Sequence, residues 1–429
     1  MEYIFTLDQH IGNKAKAIVK PGQTVQKGEV IAEPDGLGAY LHTSVTGSVV
    51  SVTDQLIKIE GVEDFSESVK PIPESDSWLE DIKNAGIVGL GGAGFPTHVK
   101  LNTDISGGWV LINAVECEPL LEHNMEQLKA SPEKIYRGLK YAMEITKASH
   151  GMLVIKEKNK AAAAGFLALV KKEDSIQVKE VKDLYPMGEE RAVIRESLGQ
   201  LLKTDELPFE AKAVVLNSET VYKITEAIED RMPMIHKSLT VVGNLKNGKE
   251  PVVMKEVPIG TPISHLLETV GGVKEPIGEI IMGGPFTGKT ASLESPVEKM
   301  TGGIIPSMEF IQDARPMGLL VCACGATEKR MRFIASQMGS PVVAVEKCKQ
   351  AIEHKNALKC ENPGECPGQA EKILSMRSKG AKTVLMGNCS DCSNTVMCVA
   401  PKLKMPVYHC TDHALRSVSH PIVRRLKEA

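Results

Sequence analysis

Gly89-Leu90-Gly91-Gly92-Ala93-Gly94-Phe95-Pro96-Thr97-His98-Val99-Lys100 follows directly on the strand-like run Gly86-Ile87-Val88. Glycines at this density let the backbone approach a phosphate, whose charge is met by N–H groups and by the start of a helix. The spacing of Gly89, Gly91 and Gly94 fits the generic dinucleotide fingerprint, with the acidic Glu116 about 20 residues further on. Read alone, the stretch suits a nucleotide cradle or a tight structural turn.

The surrounding pattern is α/β. From Ile82, strand-like runs at residues 109–115, 152–155 and 213–217 alternate with helical windows at 132–145 and 160–172. Upstream, short alternating runs punctuated by Gly22, Gly28 and Gly47 read as hairpins. They resemble the sandwiched hammerhead of biotinyl and lipoyl carriers, but residues 34–42 contain no lysine, so a structural module is expected there instead of a swinging arm. The polar, acidic stretch 64–81, with Pro71 and Pro73, reads as a linker. A β-rich unit with strands near 239–243, 251–254 and 279–284 follows, and the last 110 or so residues repeat strand then helix four times, as in a parallel sheet.

Composition bounds the function. The 429 residues make about three domains at roughly 150 each. With 42% hydrophobic and 24% charged residues and a mean hydropathy of −0.10, the chain reads as a soluble protein with no membrane span. The start, Met1-Glu2-Tyr3-Ile4-Phe5, lacks the pattern of a secretory signal, which predicts a cytoplasmic protein. A net charge of −3 argues against nucleic acid as partner. The charge is uneven: residues 322–429 hold 17 Lys+Arg against 9 Asp+Glu, or +8, leaving −11 for the rest. Nine of the ten cysteines lie in that basic tail and only Cys117 precedes it. In a reducing compartment such thiols are redox centres, metal ligands or buried apolar groups before they are structural disulfides.

Three further segments extend the glycine-rich one. Asn113-Ala114-Val115-Glu116-Cys117-Glu118-Pro119, Tyr185-Pro186-Met187-Gly188-Glu189-Glu190 and Asn217-Ser218-Glu219-Thr220 follow it in order. Together the four resemble the NADH-oxidising flavoprotein of respiratory complex I and the RnfC component of the Rnf electron-transport complex. The resemblance implies FMN held by Gly89, Gly91, Lys100, Asn113, Glu116, Gly188, Glu189, Asn217 and Thr220. It implies NADH against the flavin near Gly92, Phe95, Glu118, Tyr185 and Glu190, with Gly94 completing the loop. Lysine offsets phosphate charge, aromatic faces stack, and carboxylates take ribose hydroxyls. Val115 departs from the complex I pattern, which has an acidic residue there. The Rnf resemblance runs to about residue 310, through Leu7-Asp8-Gln9-His10-Ile11-Gly12, Gly260-Thr261-Pro262 and Gly283-Gly284-Pro285, and implies a β-grasp ligand-binding module between them.

RnfC carries two ferredoxin-type Cys-x-x-Cys-x-x-Cys-x-x-x-Cys-Pro runs, and this sequence has neither. An RnfC-like body with a separate cysteine-rich tail resembles the family of proline reductase-associated electron transfer proteins, PrdC. In the tail, Cys322 and Cys324 follow the first strand-like run, Cys348 the second, Cys389 and Cys392 the third and Cys410 the fourth. Ligands of open parallel sheets gather outside the carboxyl ends of the strands, which predicts six sulfurs along one edge. Cys389-x-x-Cys392 at a helix start suits a reactive dithiol. With Cys398 and Cys410 it makes four ligands for a [4Fe–4S] cluster, and Cys360…Cys366-Pro367 on a loop reads as a second pair. Dithiol, cluster, and zinc or inert thiols all remain open at this level.

The expected architecture is therefore an α/β multidomain chain. It comprises a barrel-sandwich hybrid (1–63), an FMN/NADH-binding α/β domain (75–232), a β-grasp module (236–312) and a cysteine-rich parallel α/β domain (316–429). The expected function is a flavoprotein oxidoreductase that takes electrons from NADH through FMN to the tail cysteines and on to a partner reductase, which the resemblance implies to be D-proline reductase. The alternatives are an RnfC component feeding a membrane complex and a zinc-binding scaffold without catalysis.

Overall fold

A computed structural model describes residues 1–424 apart from 63, 65, 67, 93, 355 and 356. Ala93 of the glycine-rich stretch, the expected boundary at Glu63 and the last five residues of the expected tail segment lie outside the described residues.

The first module is antiparallel. Strands β1 (Glu2–Thr6), β2 (Lys16–Ala17), β3 (Thr24–Val25), β4 (Val30–Glu33), β5 (Leu41–His42), β6 (Thr46–Val52) and β7 (Leu56–Val62) form two sheets, ordered β1-β7-β6-β3 and β2-β4-β5. Period-two alternation sends Tyr3, Phe5, Ile57 and Ile59 inward, and Val88 and Leu90 at the mouth of the glycine-rich loop join that core. The loop is thereby seated on the first module before any ligand is considered.

The second module holds α1 (Trp78–Asn84), α2 (Thr97–Leu101), β8 (Trp109–Ala114), α3 (His123–Ala130), α4 (Pro132–Thr146), β9 (His150–Lys156), α5 (Ala164–Val170), β10 (Ile176–Val181), α6 (Glu190–Leu198), β11 (Ala213–Asn217) and α7 (Ser218–Glu229). Its sheet, β10-β9-β8-β11, is parallel throughout, and β8 at its centre is nearly all apolar, as a strand covered on both faces must be. The expected helix at 132–145 is α4, begun by Pro132 in its first turn and ended at Lys147 in the left-handed region. The window 160–172 instead begins as a 3₁₀ turn, Glu157–Ala163, before α5.

The third module pairs β12 (His236–Val241), β13 (Val252–Pro258), β14 (Ile280–Met282), β15 (Lys289–Ala291) and β16 (Gly303–Pro306) in the order β13-β12-β16-β14-β15, with helix α8 (Ile263–Thr269) packed on it. The fourth is a parallel sheet, β18-β17-β21-β22, of β17 (Met317–Val321), β18 (Val342–Lys347), β21 (Thr383–Met386) and β22 (Val407–His409). The rhythm of strand then helix holds for α9 (Glu328–Gln337), α11 (Ser390–Met397) and α12 (Asp412–Ser417). After β18 it breaks: an antiparallel hairpin, β19 (Ala351–His354) with β20 (Ala357–Cys360), and a long loop precede α10 (Ala370–Ser378). The loop turns at Gly364 and Gly368, both in the left-handed region that only glycine adopts without strain. Arg330 of α9 and His413 of α12 both bond the buried carboxylate of Glu279, joining the fourth module to the third.

Among the described residues no helix is long and apolar enough to cross a membrane.

Candidate functional site

The glycine-rich loop is closed at its base. Gly89 N–H donates to Phe95 O (2.8 Å) and Gly94 N–H to Gly89 O (3.0 Å), leaving Gly91 and Gly92 exposed at the tip. Gly92 has φ +103° with open space where a β-carbon would stand, and a β-carbon on Gly91 would lie 3.4 Å from Asn217. Gly94 plays a different part. It is buried at φ +65°, Met300 fills the place of a β-carbon, and its carbonyl accepts the Ile11 N–H (2.9 Å), so it anchors the loop to the rest of the chain.

The other segments come to the same place because β8 and β11 end side by side, with Asn113 in register with Asn217. The Asn113 amide donates to Gly188 O (2.8 Å), and Asn217 caps α7 by accepting the Glu219 N–H (2.9 Å). Lys100 pairs with Glu190 (2.5 Å), and Glu189 caps α6 by accepting from Arg191 N (2.9 Å) and Ala192 N (3.1 Å). The buried Thr220 spends its hydroxyl on the Leu90 N–H (3.0 Å), which ties α7 to the loop. Gly89, Gly91, Gly92, Phe95, Lys100, Asn113, Gly188, Glu189, Glu190 and Asn217, drawn from four separated segments, are all at least partly exposed around these strand ends.

The two acidic residues after β8 are used within the protein. Glu116 accepts from Asn124 Nδ2 (2.9 Å) and Glu118 N (3.3 Å), and its enclosure pushes the carboxyl up to about 7. Glu118, expected beside NADH, instead accepts from Phe286 N (2.7 Å), Thr287 N (2.9 Å) and the Thr287 hydroxyl (2.6 Å) of the third module. Gly284 lies so close to the Glu118 side chain that a β-carbon there would collide with it, which accounts for the Gly283-Gly284-Pro285 turn. Tyr185, expected as a stacking face, is buried against Phe286, ring centroids 3.6 Å apart and 5° from parallel. Its N–H donates to Ser390 Oγ (2.9 Å) and its hydroxyl to the carbonyl of Cys324. The expected NADH residues therefore divide: Gly92, Phe95 and Glu190 stay with the loop, whereas Glu118 and Tyr185 bind the neighbouring modules. A cleft of about 730 Å³ is bordered by Glu116, Glu118, Lys156, Tyr185, Phe286 and Ser390.

The strand-exit cysteines gather at the ends of β17, β18, β21 and β22. Cys322, Cys348, Cys389, Cys392 and Cys410 are buried in one cluster with Tyr185 and Phe286, against which Cys117 and Cys324 pack. The thiols neighbour one another in the order Cys360–Cys324–Cys322–Cys348–Cys392, and Cys392 also neighbours Cys389 and Cys366. Cys360 and Cys366, read from sequence as partners of each other, thus sit near opposite ends of one row, because the hairpin and the Gly364–Gly368 bend carry them to different neighbours. Arg191 of α6 donates to the Cys360 carbonyl, and Arg195 holds Asn362 and the Pro363 carbonyl (2.8 Å). Nothing in the sequence around these two arginines marked them as clamps.

The residues around the loop suit FMN: an uncrowded glycine tip for a phosphate to approach, an adjacent ammonium at Lys100, and two amides at the strand ends. The four-cysteine set Cys389, Cys392, Cys398 and Cys410 does not suit a [4Fe–4S] cluster. Cys389 and Cys398 flank opposite ends of α11, nine residues apart, which is about 13 Å of helical rise and half a turn out of phase. Cys398 is exposed, and Cys410 Sγ lies 3.7 Å from His409 Nδ1. Among the described residues, no three cysteine, histidine or carboxylate side chains are arranged to hold a metal ion.

Comparison with known proteins agrees with the layout. Residues 82–226 match the Nuo51 FMN-binding domain family, and residues 1–65 the RnfC barrel sandwich hybrid domain. The RnfC component of the Na⁺-translocating ferredoxin:NAD⁺ oxidoreductase complex of Acetobacterium woodii is 30% identical over 340 residues, covering 74% of this chain and 76% of the relative. Its counterpart in the proton-translocating complex of Clostridium ljungdahlii is 32% identical over 318 residues, covering 69% and 68%. Cobalamin reductase PduS of Salmonella typhimurium is 36% identical over 239 residues, covering 56% of this chain and 51% of PduS, so the chain spans about half the length of that relative. These kinships are with Rnf-type proteins and a cobalamin reductase.

Proposed function

Because this chain belongs to the RnfC family of ion-translocating ferredoxin:NAD⁺ oxidoreductases, we propose that it is an NADH-oxidising flavoprotein that passes electrons from FMN to its own cysteine-rich module and on to a protein partner. The observation that carries this reading is the continuity between flavin segment and thiols: the stretch from Tyr185 to Arg195 borders the loop at Gly188–Glu190 and touches Cys324, Cys360 and Ser390 with its other residues.

In this reading Gly91 and Gly92 present the backbone to the FMN phosphate, and Lys100 leaves Glu190 to offset its charge. Asn113 and Asn217 would hold FMN at the strand ends, and NADH would approach it along the exposed side of the loop, at Gly92, Phe95 and Glu190. FMN, once bound, supplies the exchange between hydride and single-electron chemistry. Glu116, half-ionised near neutrality, can hold or release a proton at the end of β8.

The kinship favours a partner in an Rnf-type membrane complex over D-proline reductase. The excess of positive charge after residue 322 would steer the tail onto an acidic partner surface in either case. Anaerobic purification with flavin, iron, sulfide and zinc counted per chain tests the reading: one FMN, reducible by NADH, is expected. Lys100→Glu should remove the flavin while leaving the fold intact, and full flavin retention would refute the assignment. A colourless, flavin-free, zinc-loaded protein would leave only the scaffold. Sedimentation with membranes separates the Rnf role from that of a soluble donor to D-proline reductase.

A further inference from the structure

The thiols of the fourth module form a row with two chemically distinct ends. Cys366 is the accessible end, half-exposed on a loop pinned to α11 by the bond from its N–H to Asp391 Oδ2 (2.8 Å). Its sulfur accepts the Gly368 N–H at 3.3 Å, lies 3.2 Å from Thr395 Oγ1 and meets Cys392. Hydrogen bonding from Cys392, then from Thr395 and Gly368, pulls the Cys366 thiol down to about 6, whereas Cys392, ringed by Cys348, Cys366 and Cys389, is raised. An accessible thiolate beside a buried protonated thiol is the arrangement of an attacking and a resolving cysteine. Further in, the Gln369 amide donates to Cys348 Sγ (3.0 Å) and reaches toward Cys392 Sγ (3.8 Å), holding these two sulfurs side by side. The inner end is Cys324 and Cys360, whose carbonyls are gripped by Tyr185 and Arg191.

We infer that Cys366 and Cys392 are a thiol–disulfide exchange pair acting on a disulfide presented by a partner, and that the row Cys392–Cys348–Cys322–Cys324–Cys360 carries the resulting disulfide inward to the flavin segment. The inference rests on the flavoprotein reading for its source of electrons. The Cys366 thiolate attacks one sulfur of the partner's disulfide, that S–S bond breaks, and the other sulfur leaves as a thiolate and takes a proton. Cys392 gives up its proton and attacks Cys366, releasing the second partner sulfur as a thiol and forming the Cys366–Cys392 disulfide. The partner has gained two electrons and two protons; the pair has lost two electrons and the Cys392 proton, and water supplies the second proton. Cys348 then displaces Cys366 from Cys392, Cys322 displaces Cys392 from Cys348, and two more exchanges leave a Cys324–Cys360 disulfide, each breaking one S–S bond and forming one. A two-electron donor of the dihydroflavin class returns two electrons and two protons to that last disulfide.

The full chain, purified anaerobically, reduced and freed of reductant, is treated with limiting oxidised glutathione, alkylated and mapped by peptide mass. A Cys366–Cys392 disulfide is expected, followed at longer times by Cys324–Cys360. Before oxidation, iodoacetamide at pH 7 should label Cys366 about tenfold faster than the more exposed Cys398. Cys392→Ser should stop at glutathionylated Cys366, and Cys348→Ser should keep the outer disulfide and lose the inner one. Labelling of Cys398 first, absence of a Cys366–Cys392 link in the unaltered chain, or iron and sulfide that shield the row from alkylation would each overturn the inference. The alkylation order needs no variant, so a misfolded mutant does not blunt the test. Flavin-free protein that still makes the disulfides would sink the flavoprotein reading alone, and flavin-loaded protein with an inert Cys366 would sink this one alone.

Discussion

Glu219, next to the predicted flavin residues Asn217 and Thr220, is a structural residue. Its carboxylate is fully buried against Lys237 Nζ and accepts the Ser238 N–H (3.1 Å), fastening α7 to β12. Removing one partner of such a pair strands the other charge, so Glu219→Ala should cost about 3–5 kcal/mol in denaturant unfolding. Glu116 gives a prediction with a pH signature. Its folded pKa of about 7 lies above the ordinary carboxyl value of 4.5, so both states are protonated below that value and the folded state must ionise an enclosed group above 7. The stability that its neutral form contributes is complete in acid and lost as pH rises through 7. Glu116→Gln should therefore gain in melting temperature relative to the unaltered protein between pH 5 and pH 8, measured on apo-protein. A constant difference would show that Glu116 titrates normally.

At the scale of elements, the glycine-rich loop separates two roles that look alike in sequence. Gly94→Ala forces a β-carbon into Met300 at a left-handed φ and should cost more than about 1 kcal/mol of stability. Gly91→Val, at an exposed tip, should leave the unfolding midpoint nearly unchanged yet crowd Asn217 and lower the FMN content. Equal loss of stability in both would refute the distinction. The loop, the strands β8 and β11 and the exits of the four parallel tail strands were legible because each is a local pattern: glycine spacing, apolar runs and the residue after a strand. What was not legible depends on tertiary partners. Glu118 and Tyr185 carry the right side chains for a nucleotide, but Phe286, 101 residues beyond Tyr185, occupies both. The hairpin after β18 has no strong alternating signal, so nothing foretold that Cys360 would meet Cys324 and Cys366 meet Cys392.

For the whole molecule, buried charges at the joints between modules set its response to pH. Glu279 is a charged link between the third and fourth modules, beside the apolar contact of Ala414 with Val242, Ile281 and Ile305. Burial would raise its pKa, but hydrogen bonds from His413 and Arg330 outweigh burial and hold the carboxyl down to about 2. A depressed carboxyl contributes stability above its unfolded value of about 4.5, lost as pH falls toward 2. Glu279→Gln should thus be less stable at pH 7 and show a flatter stability profile between pH 4.5 and 2. One link between the second and fourth modules is the Arg191 clamp on the Cys360 carbonyl, alongside the bonds of Tyr185 to Ser390 and Cys324 and of Arg195 to Asn362. With Arg191→Met, reduction of bound flavin by NADH should persist while transfer of electrons to the thiols slows, read as the lag between flavin bleaching and appearance of free thiol. Unchanged lag would show that this contact does not set the coupling.

The face-to-face rings of Tyr185 and Phe286 have a practical consequence for anyone who would dissect the protein. Their outer surfaces are covered by the sulfur-rich turns after β17 and β22, so a fragment ended before Met317 would bare two aromatic faces and Cys117 to water. Such a truncation should bind a hydrophobic dye and self-associate, however well its glycine-rich loop survives, and only the undivided polypeptide will report honestly on either half.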